Sequence, residues 1–95
     1  MSVPITQFAY LTATEADLTT VQQALADLCE KTRQEDACST FDFYQSADNA
    51  NEFVLHERFS HQEGYDQHLA AEYTQAFFQK KVVSVDRVVA VSAVC

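Results

Sequence analysis

The sequence predicts an α+β fold of the ferredoxin-like class, with the element order β-α-β-β-α-β and both helices on one face of a four-stranded antiparallel sheet. Three observations lead to this prediction. Stretches of alternating apolar and polar residues occur near the start, in the middle and at the end of the chain. Two stretches with apolar residues at helical spacing separate them, and a turn rich in Asp and Asn joins the two central strands. The length of 95 residues suits a single domain spanning residues 1–95.

The first strand and the first helix occupy residues 4–34. The stretch PITQFAYLTA alternates as a strand does. Apolar residues then recur at helical spacing from Leu18 to Leu28. Thr14 stands three residues before Asp17, which is a capping signal, so the helix is expected to begin at Thr14.

A hairpin and a second helical region follow. CSTFDFYQ and EFVLHERF alternate as strands, and SADNAN between them is rich in residues that form turns. Ser60 and Glu63 form an S-x-x-E capping box, which predicts that a helix opens there. Its apolar stripe reaches Phe77, and the pattern is compatible with a break near Ala70 and Ala71. DRVVAVSAV, residues 86–94, predicts the last strand.

Side chains alternate across a strand, so each central strand has one set facing the helices and one set facing outward. The aromatic sets are the better candidates for the helix side: Phe41, Phe43 and Gln45 on one strand, and Phe53, Leu55, Glu57 and Phe59 on the next. The outer sets include Tyr44, Val54 and His56, with Val88 and Ala90 or the alternate residues of the last strand. Because this outer face is too apolar for free contact with water, we expect a second sheet to cover it, most simply that of an identical subunit in a homodimer.

Charge and hydropathy exclude several classes of protein. A net charge of −8 and a pI near 4.5 repel phosphate backbones, so no nucleic acid partner is expected. No apolar stretch approaches the roughly 20 residues of a spanning helix, and no basic amphipathic face suggests binding to a membrane. The N-terminal stretch MSVPITQFAY lacks the features of a signal peptide, so a cytoplasmic location is the expectation.

The cysteines and the absence of ligand motifs bear on cofactors. Cys29, Cys38 and Cys95 form an odd set without a CxxC motif or a Cys/His metal spacing, which favours free, reduced thiols. Cys95 is the terminal residue and is expected to be exposed. Without a metal-ligand spacing or a nucleotide-binding loop, no bound metal, haem or flavin is predicted.

The stretch TRQEDACSTFDFYQSADNANEFVLHERFSHQEGYDQHLAAEYTQAFF resembles the central motif of the antibiotic biosynthesis monooxygenase family, which includes quinol monooxygenases. The resemblance in sequence covers roughly residues 31–79. The rest of the chain matches the family only in the order of its helices and strands. The sequence departs from the family pattern in Ala37 for Gly, Phe59 for Trp, and Glu72 and Tyr73 for Pro-His. The matching residues are Arg33, Glu35, Cys38, Tyr44, Gln45, Asn49, Phe53, Val54, Leu55, Glu57, His68, Leu69 and Phe77.

The resemblance implies a homodimer of ferredoxin-like subunits, a dimeric α/β barrel, with a cavity in each subunit between sheet and helices. It also implies oxygenation of electron-rich aromatic rings without metal or flavin. A quinol or anthrone that loses a proton can reduce dioxygen itself, so the protein supplies a dry aromatic pocket, a base and orientation. The missing Trp disfavours the haem-degrading branch of the family.

His68 and Glu57 are the candidate catalytic residues. A neutral imidazole at His68 could take a phenolic proton. Alternatively, His68 is a structural residue bonded to Glu57 or to a backbone carbonyl. Glu57 faces the helix side, where it orients His68, acts as a base with a raised pKa, or forms a salt bridge with an Arg. The candidate substrate-binding residues are Phe59, Phe41, Tyr65 and Tyr73.

The other two histidines are not expected in the pocket. His56 alternates onto the outer face, and His61 falls in the first turn of the second helix. Two functions remain open. The first is a cofactor-independent monooxygenase acting on a small aromatic or quinol. The second is a non-catalytic dimeric binding or stress-response protein whose pocket is closed by its own aromatic side chains. The fold alone does not distinguish these two functions.

Overall fold

The computed structural model describes residues 3–92 and confirms the ferredoxin-like fold. The sheet order is β2-β3-β1-β4, and all neighbouring strands are antiparallel. The second helical region consists of two helices, so the element order is βαββααβ. The elements are β1 Ile5–Ala13, α1 Leu18–Thr32, β2 Cys38–Gln45, β3 Glu52–Phe59, α2 Gln62–Ala70, α3 Glu72–Lys80 and β4 Val83–Val91.

The N-terminus of α1 is capped by Asp17, whose carboxylate accepts a hydrogen bond from the backbone N–H of Thr19. The predicted start at Thr14 is therefore wrong. The Thr14 hydroxyl instead donates to the carbonyl of Lys81, and the Thr14 N–H donates to the carbonyl of Val82. Thr14 thus joins the end of β1 to the segment between α3 and β4, and the helix begins only beyond it.

The N-terminus of α2 is capped by His61, whose Nδ1 accepts from the N–H of Gly64 at 2.9 Å. The predicted Ser60–Glu63 capping box is therefore wrong. The Ser60 N–H donates to the carbonyl of Ala37 at 2.8 Å, which ties the end of β3 to the loop before β2. This loop packs closely against α2, because a Cβ on Gly64 would lie only 2.2 Å from the Cβ of Ala37.

The break between α2 and α3 lies at Ala71, as the sequence allowed. Ala71 has an extended backbone, with φ −62° and ψ 142°, and its N–H donates to the carbonyl of His68. Because one extended residue interrupts the helical repeat, the buried face of α3 does not continue the stripe of α2.

The helix-facing side of the sheet holds the core. Along β1 and β3, the inward residues pair as Gln7 with Glu57, Ala9 with Leu55 and Leu11 with Phe53, and all six are buried. On β4, Val88 pairs with Ala9 and Ala90 pairs with Gln7, so these two residues face the helices. The outer face therefore takes the alternate residues Arg87, Val89 and Val91. Val94 and Cys95 lie outside the described residues.

The outer face of the sheet mixes aromatic and aliphatic side chains with polar ones. His56 stacks on Phe8, with ring centroids 4.6 Å apart, and Arg87 lies over the ring of Tyr10. Tyr44 is 56% exposed. Within residues 3–92, no helix has the length and apolar character needed to cross a membrane.

Candidate active site

A cavity of about 70 Å³, which we call the enclosed cavity, lies between the sheet and the helices, with the half-exposed side chains of Phe78, Val85 and Val88 at its rim. Every strand and helix contributes to its lining, because the ferredoxin-like topology stacks three helices over one sheet face. The lining is mostly aliphatic and aromatic. The polar side chains on it are Gln7, Glu57, Tyr65, His68 and Thr74. An apolar cavity with a few converging polar groups is the usual form of a binding or active site.

Glu57 projects from β3 into this cavity and is 6% exposed. Its Oε1 accepts a hydrogen bond from Nε2 of Gln7 at 3.2 Å, across the β1–β3 register. Among the described residues no cation pairs with it, so the predicted alternative of an Arg salt bridge is wrong. Loss of water raises the pKa of Glu57 from 4.5 to about 7, although the hydrogen bond from Gln7 acts in the opposite direction. Near neutral pH the carboxyl group therefore exists in both protonation states.

His68 projects from α2 into the same cavity and is 4% exposed. Its Nδ1 lies 3.1 Å from Oε2 of Glu35, a pairing that matches neither of the predicted structural alternatives, Glu57 or a backbone carbonyl. A carboxylate accepts hydrogen bonds, so this pairing favours the tautomer with the proton on Nδ1. Within residues 3–92, no side chain or backbone group hydrogen-bonds to Nε2, which leaves that nitrogen free for a bound molecule.

The predicted aromatic residues are divided between the cavity and its surroundings. Phe41 and Tyr65 line the cavity, and their ring centroids lie 5.2 and 6.4 Å from that of His68. Phe59 is fully buried behind the lining, 5.2 Å from the His68 ring, so it supports that ring instead of separating it from Glu57. Tyr73 lies outside the cavity, because the break at Ala71 changes the direction in which α3 presents it.

A second depression, the surface groove, has a volume of about 400 Å³ and is open to solvent. Glu35, Asp36, His61, Gln67 and Tyr73 are among its lining residues. His61 therefore lies at the surface groove, while His56 lies on the outer face of the sheet. Of the three histidines, His68 alone lines the enclosed cavity.

Sequence reasoning missed three residues of the site: Gln7, Glu35 and Thr74. Gln7 occupies an inward position of β1, and a polar residue in an apolar alternation is a usable signal. Thr74 is 1% exposed, and its hydroxyl has no hydrogen-bond partner in the described part of the chain. Glu35 belongs to the matched family pattern, but nothing local connects it to a histidine 33 residues later.

The described residues contain no group of three or more His, Cys, Asp or Glu side chains that could hold a metal ion. Cys29 and Cys38 are free thiols. Burial raises the pKa of Cys29 to about 12 and that of Cys38 to about 11, which makes both thiols poor nucleophiles and poor metal ligands at neutral pH.

Comparison with known proteins gives one family. The sequence profile described as antibiotic biosynthesis monooxygenase matches residues 4–80 of the chain. No curated protein sequence gives a significant match.

Solved structures share the fold across nearly the whole chain. A provisionally assigned antibiotic biosynthesis monooxygenase from Deinococcus radiodurans is 21% identical with a TM-score of 0.82, covering 94% of this chain and 91% of its own. One from Nitrosomonas europaea is 16% identical with a TM-score of 0.86, covering 99% and 93%. Protein Rv0793 from Mycobacterium tuberculosis is 24% identical with a TM-score of 0.79, covering 98% and 97%. At these identities the likeness shows the common fold.

Proposed function

We propose that the chain, which belongs to the antibiotic biosynthesis monooxygenase family, is a cofactor-independent monooxygenase. Its proposed substrate is a small electron-rich aromatic compound such as a quinol or an anthrone. One observation carries this proposal. His68 and Glu57, each held by a different partner, line one enclosed and largely apolar cavity. A base and an acid in a site with little water are what this reaction requires of a protein.

His68 acts as the base in the proposed reaction. Its Nε2 has no partner among the described residues, and its Nδ1 is held by Glu35. Nε2 removes the acidic proton of the bound phenol or enol, which leaves an anion rich enough in electrons to reduce dioxygen. The rings of Phe41 and Tyr65 surround the imidazole and provide an apolar wall for an aromatic substrate.

Glu57 acts as the acid. Its raised pKa of about 7 keeps part of it protonated at neutral pH, so it can donate to the oxygen that leaves. For an anthrone, the carbon anion forms a C–O bond with dioxygen, and the O–O bond then breaks. One oxygen atom stays on carbon as a carbonyl group, and the second leaves as water after taking up two protons, which balance the two that the substrate lost. The electrons come from the substrate, so no further reductant is required.

The small volume of the cavity favours a second candidate function. About 70 Å³ is well below the roughly 300–1,000 Å³ of most ligand pockets. An aromatic substrate therefore has to displace lining side chains, and Phe78, Val85 and Val88 are the ones that reach the surface. A non-catalytic dimeric binding or stress-response protein, with its cavity closed by its own side chains, is the alternative that this observation supports.

We also propose that the protein is a homodimer and acts in the cytoplasm. The aromatic and aliphatic side chains on the outer face of the sheet, among them Tyr44 and Val54 beside His56, support association of two copies. The free thiols of Cys29 and Cys38 support a reducing compartment.

Oxygen uptake tests the monooxygenase proposal. Purified protein is mixed with a panel of quinols and anthrones, and dioxygen consumption is measured with an electrode. We expect saturable uptake and, with isotopically labelled dioxygen, one labelled oxygen atom in the product. Elemental analysis and an absorption spectrum of the same sample test whether metal, haem or flavin is present. A protein that binds members of the panel without consuming oxygen would instead support the binding function.

A further inference from the structure

We infer that Glu35 carries the substrate's proton from His68 to solvent, so that a two-residue path links the enclosed cavity to the surface groove. This inference rests on the proposed function, because the proton in question is the one that His68 removes. Glu35 acts through His68 and touches no substrate, so it is a positioning and relay residue in this scheme.

The two depressions meet at this pair of side chains. His68 lines the enclosed cavity, Glu35 lines the surface groove, and Nδ1 and Oε2 are 3.1 Å apart. Only 4% of the histidine side chain is exposed, against 21% of the glutamate side chain. A proton on the buried ring therefore reaches water by a single transfer to a group that already contacts the groove.

The backbone fixes Glu35 at this boundary. In the turn after α1, its N–H donates to the carbonyl of Thr32 at 3.0 Å, and its carbonyl accepts from the N–H of Cys38 at 3.1 Å. The nearby Arg33 does not neutralise it, because that guanidinium binds Asp42 at 2.6 Å and the carbonyl of Phe41 at 2.9 Å. Glu35 is therefore free to accept a proton from His68.

The transfer balances without any redox partner. The O–H bond of the substrate breaks as an N–H bond forms at Nε2 of His68. The N–H bond at Nδ1 then breaks as an O–H bond forms at Oε2 of Glu35, and water in the groove removes that proton. The imidazole ends as the neutral tautomer with its proton on Nε2. It is restored when Nε2 donates that proton to the reduced oxygen in the cavity and Nδ1 takes a proton back from groove water through Glu35.

Other titratable groups surround the pair but do not replace it. Glu57 lies on the cavity side and is bonded to Gln7 instead of His68. The remaining titratable neighbours are Tyr65 on the cavity lining, Asp36, His61 and Tyr73 on the groove lining, and Cys38 at the start of β2. Asp36 provides a matched control, because it lines the same groove, carries the same charge and makes no side-chain hydrogen bond within the described residues.

The first test needs no substrate. Nitrogen-15 NMR identifies the tautomer of His68 and measures how fast its Nδ1 proton exchanges with water. In the wild-type protein we expect the proton on Nδ1. In Glu35→Gln we expect exchange to be at least tenfold slower, which is a smaller effect than the roughly 10²-fold rate change of one positioned general base. Glutamine still accepts the hydrogen bond but cannot take the proton. Asp36→Asn should exchange at the wild-type rate. Unchanged exchange in Glu35→Gln, or a proton on Nε2 in the wild-type protein, would overturn the relay.

A second test uses small acids as substitutes for the missing side chain. In Glu35→Ala, acetate that enters the open groove should restore proton exchange at His68 in proportion to the acetate concentration. It should also restore the turnover rate with any quinol that the wild-type protein oxidises. Asp36→Ala should not respond to acetate. No acetate response in a folded Glu35→Ala protein would contradict the relay. If the wild-type protein consumes no oxygen, the proposed oxygenation fails, while the exchange measurements still decide whether Glu35 passes protons between His68 and the surface groove.

Discussion

The side-chain amide of Gln7 donates to the carboxyl group of Glu57 at 3.2 Å, between the two central strands of the sheet. Among the described residues, Gln7 provides the one hydrogen bond to the Glu57 carboxyl group, which has almost no exposure to water. A neutral amide donor compensates only part of the cost of burying a negative charge, so Glu57 retains its proton far above its usual pKa.

Replacing Glu57 with glutamine should change how stability depends on pH. Between pH 4.5 and about 7, the unfolded chain has released the Glu57 proton and the folded chain still holds it. Raising the pH through this window therefore favours unfolding, and the free energy of unfolding should fall by about 3 kcal/mol relative to the Glu57→Gln variant. Urea denaturation of both proteins at a series of pH values measures the difference. A difference that is flat across this window would show that Glu57 ionises normally.

Replacing Thr74 with valine should stabilise the protein. The Thr74 hydroxyl is buried without a partner in the described structure, whereas the equally buried Thr32 hydroxyl donates to the carbonyl of Leu28 at 2.6 Å. Removing an unsatisfied hydroxyl should raise the free energy of unfolding by about 1 kcal/mol, and Thr32→Val should not. Urea denaturation compares the two variants. Equal destabilisation by both would show that Thr74 has a partner.

Adding a methyl group at Gly64 should weaken the contact between α2 and the loop before β2. The new Cβ would lie 2.2 Å from the Cβ of Ala37, so Gly64→Ala should cost roughly 1–3 kcal/mol, as overpacking does. Ala37→Gly in the same chain should recover part of that loss. A double-mutant cycle measured by urea denaturation gives the coupling, and strictly additive effects would contradict this packing.

The outer face of the sheet should form a homodimer interface. At micromolar concentration, light scattering should give twice the 10.7 kDa of one chain. Val54→Asp introduces a charge on this face and should shift the protein toward the monomer, while Gln23→Asp on the exposed side of α1 should not. A clean monomer mass for the wild-type protein would remove the proposed interface.

The fold could be predicted because its signals are local. Alternation predicted the strands and the helix-facing sides of the two central strands, but it left the face of β4 open. Helical spacing predicted the helices. The two capping predictions failed because Thr14 and Ser60 bond to distant backbone groups, at Lys81 and Ala37 respectively. Such partners depend on tertiary packing, which a short sequence motif does not contain.

The site could be predicted only in part for a similar reason. Strand alternation and helical spacing put Glu57 and His68 on facing surfaces, and the structure gives them a common cavity. Their partners, Gln7 and Glu35, lie 50 and 33 residues away in sequence, so the strand register and the turn after α1 had to be known. Tyr73 was misplaced because the extended residue Ala71 changes the phase of the helix.

The most direct test of the central claim compares two histidine variants in the oxygen-uptake assay. His68 lines the enclosed cavity, and His61 lines the surface groove. With a quinol or anthrone that the wild-type protein oxidises, His68→Ala should lower the turnover rate by roughly 10²-fold or more, the scale of one general base. His61→Ala should leave that rate close to wild type. Equal rates for His68→Ala and the wild-type protein, or an equal loss in both variants, would contradict the assignment of His68 as the base.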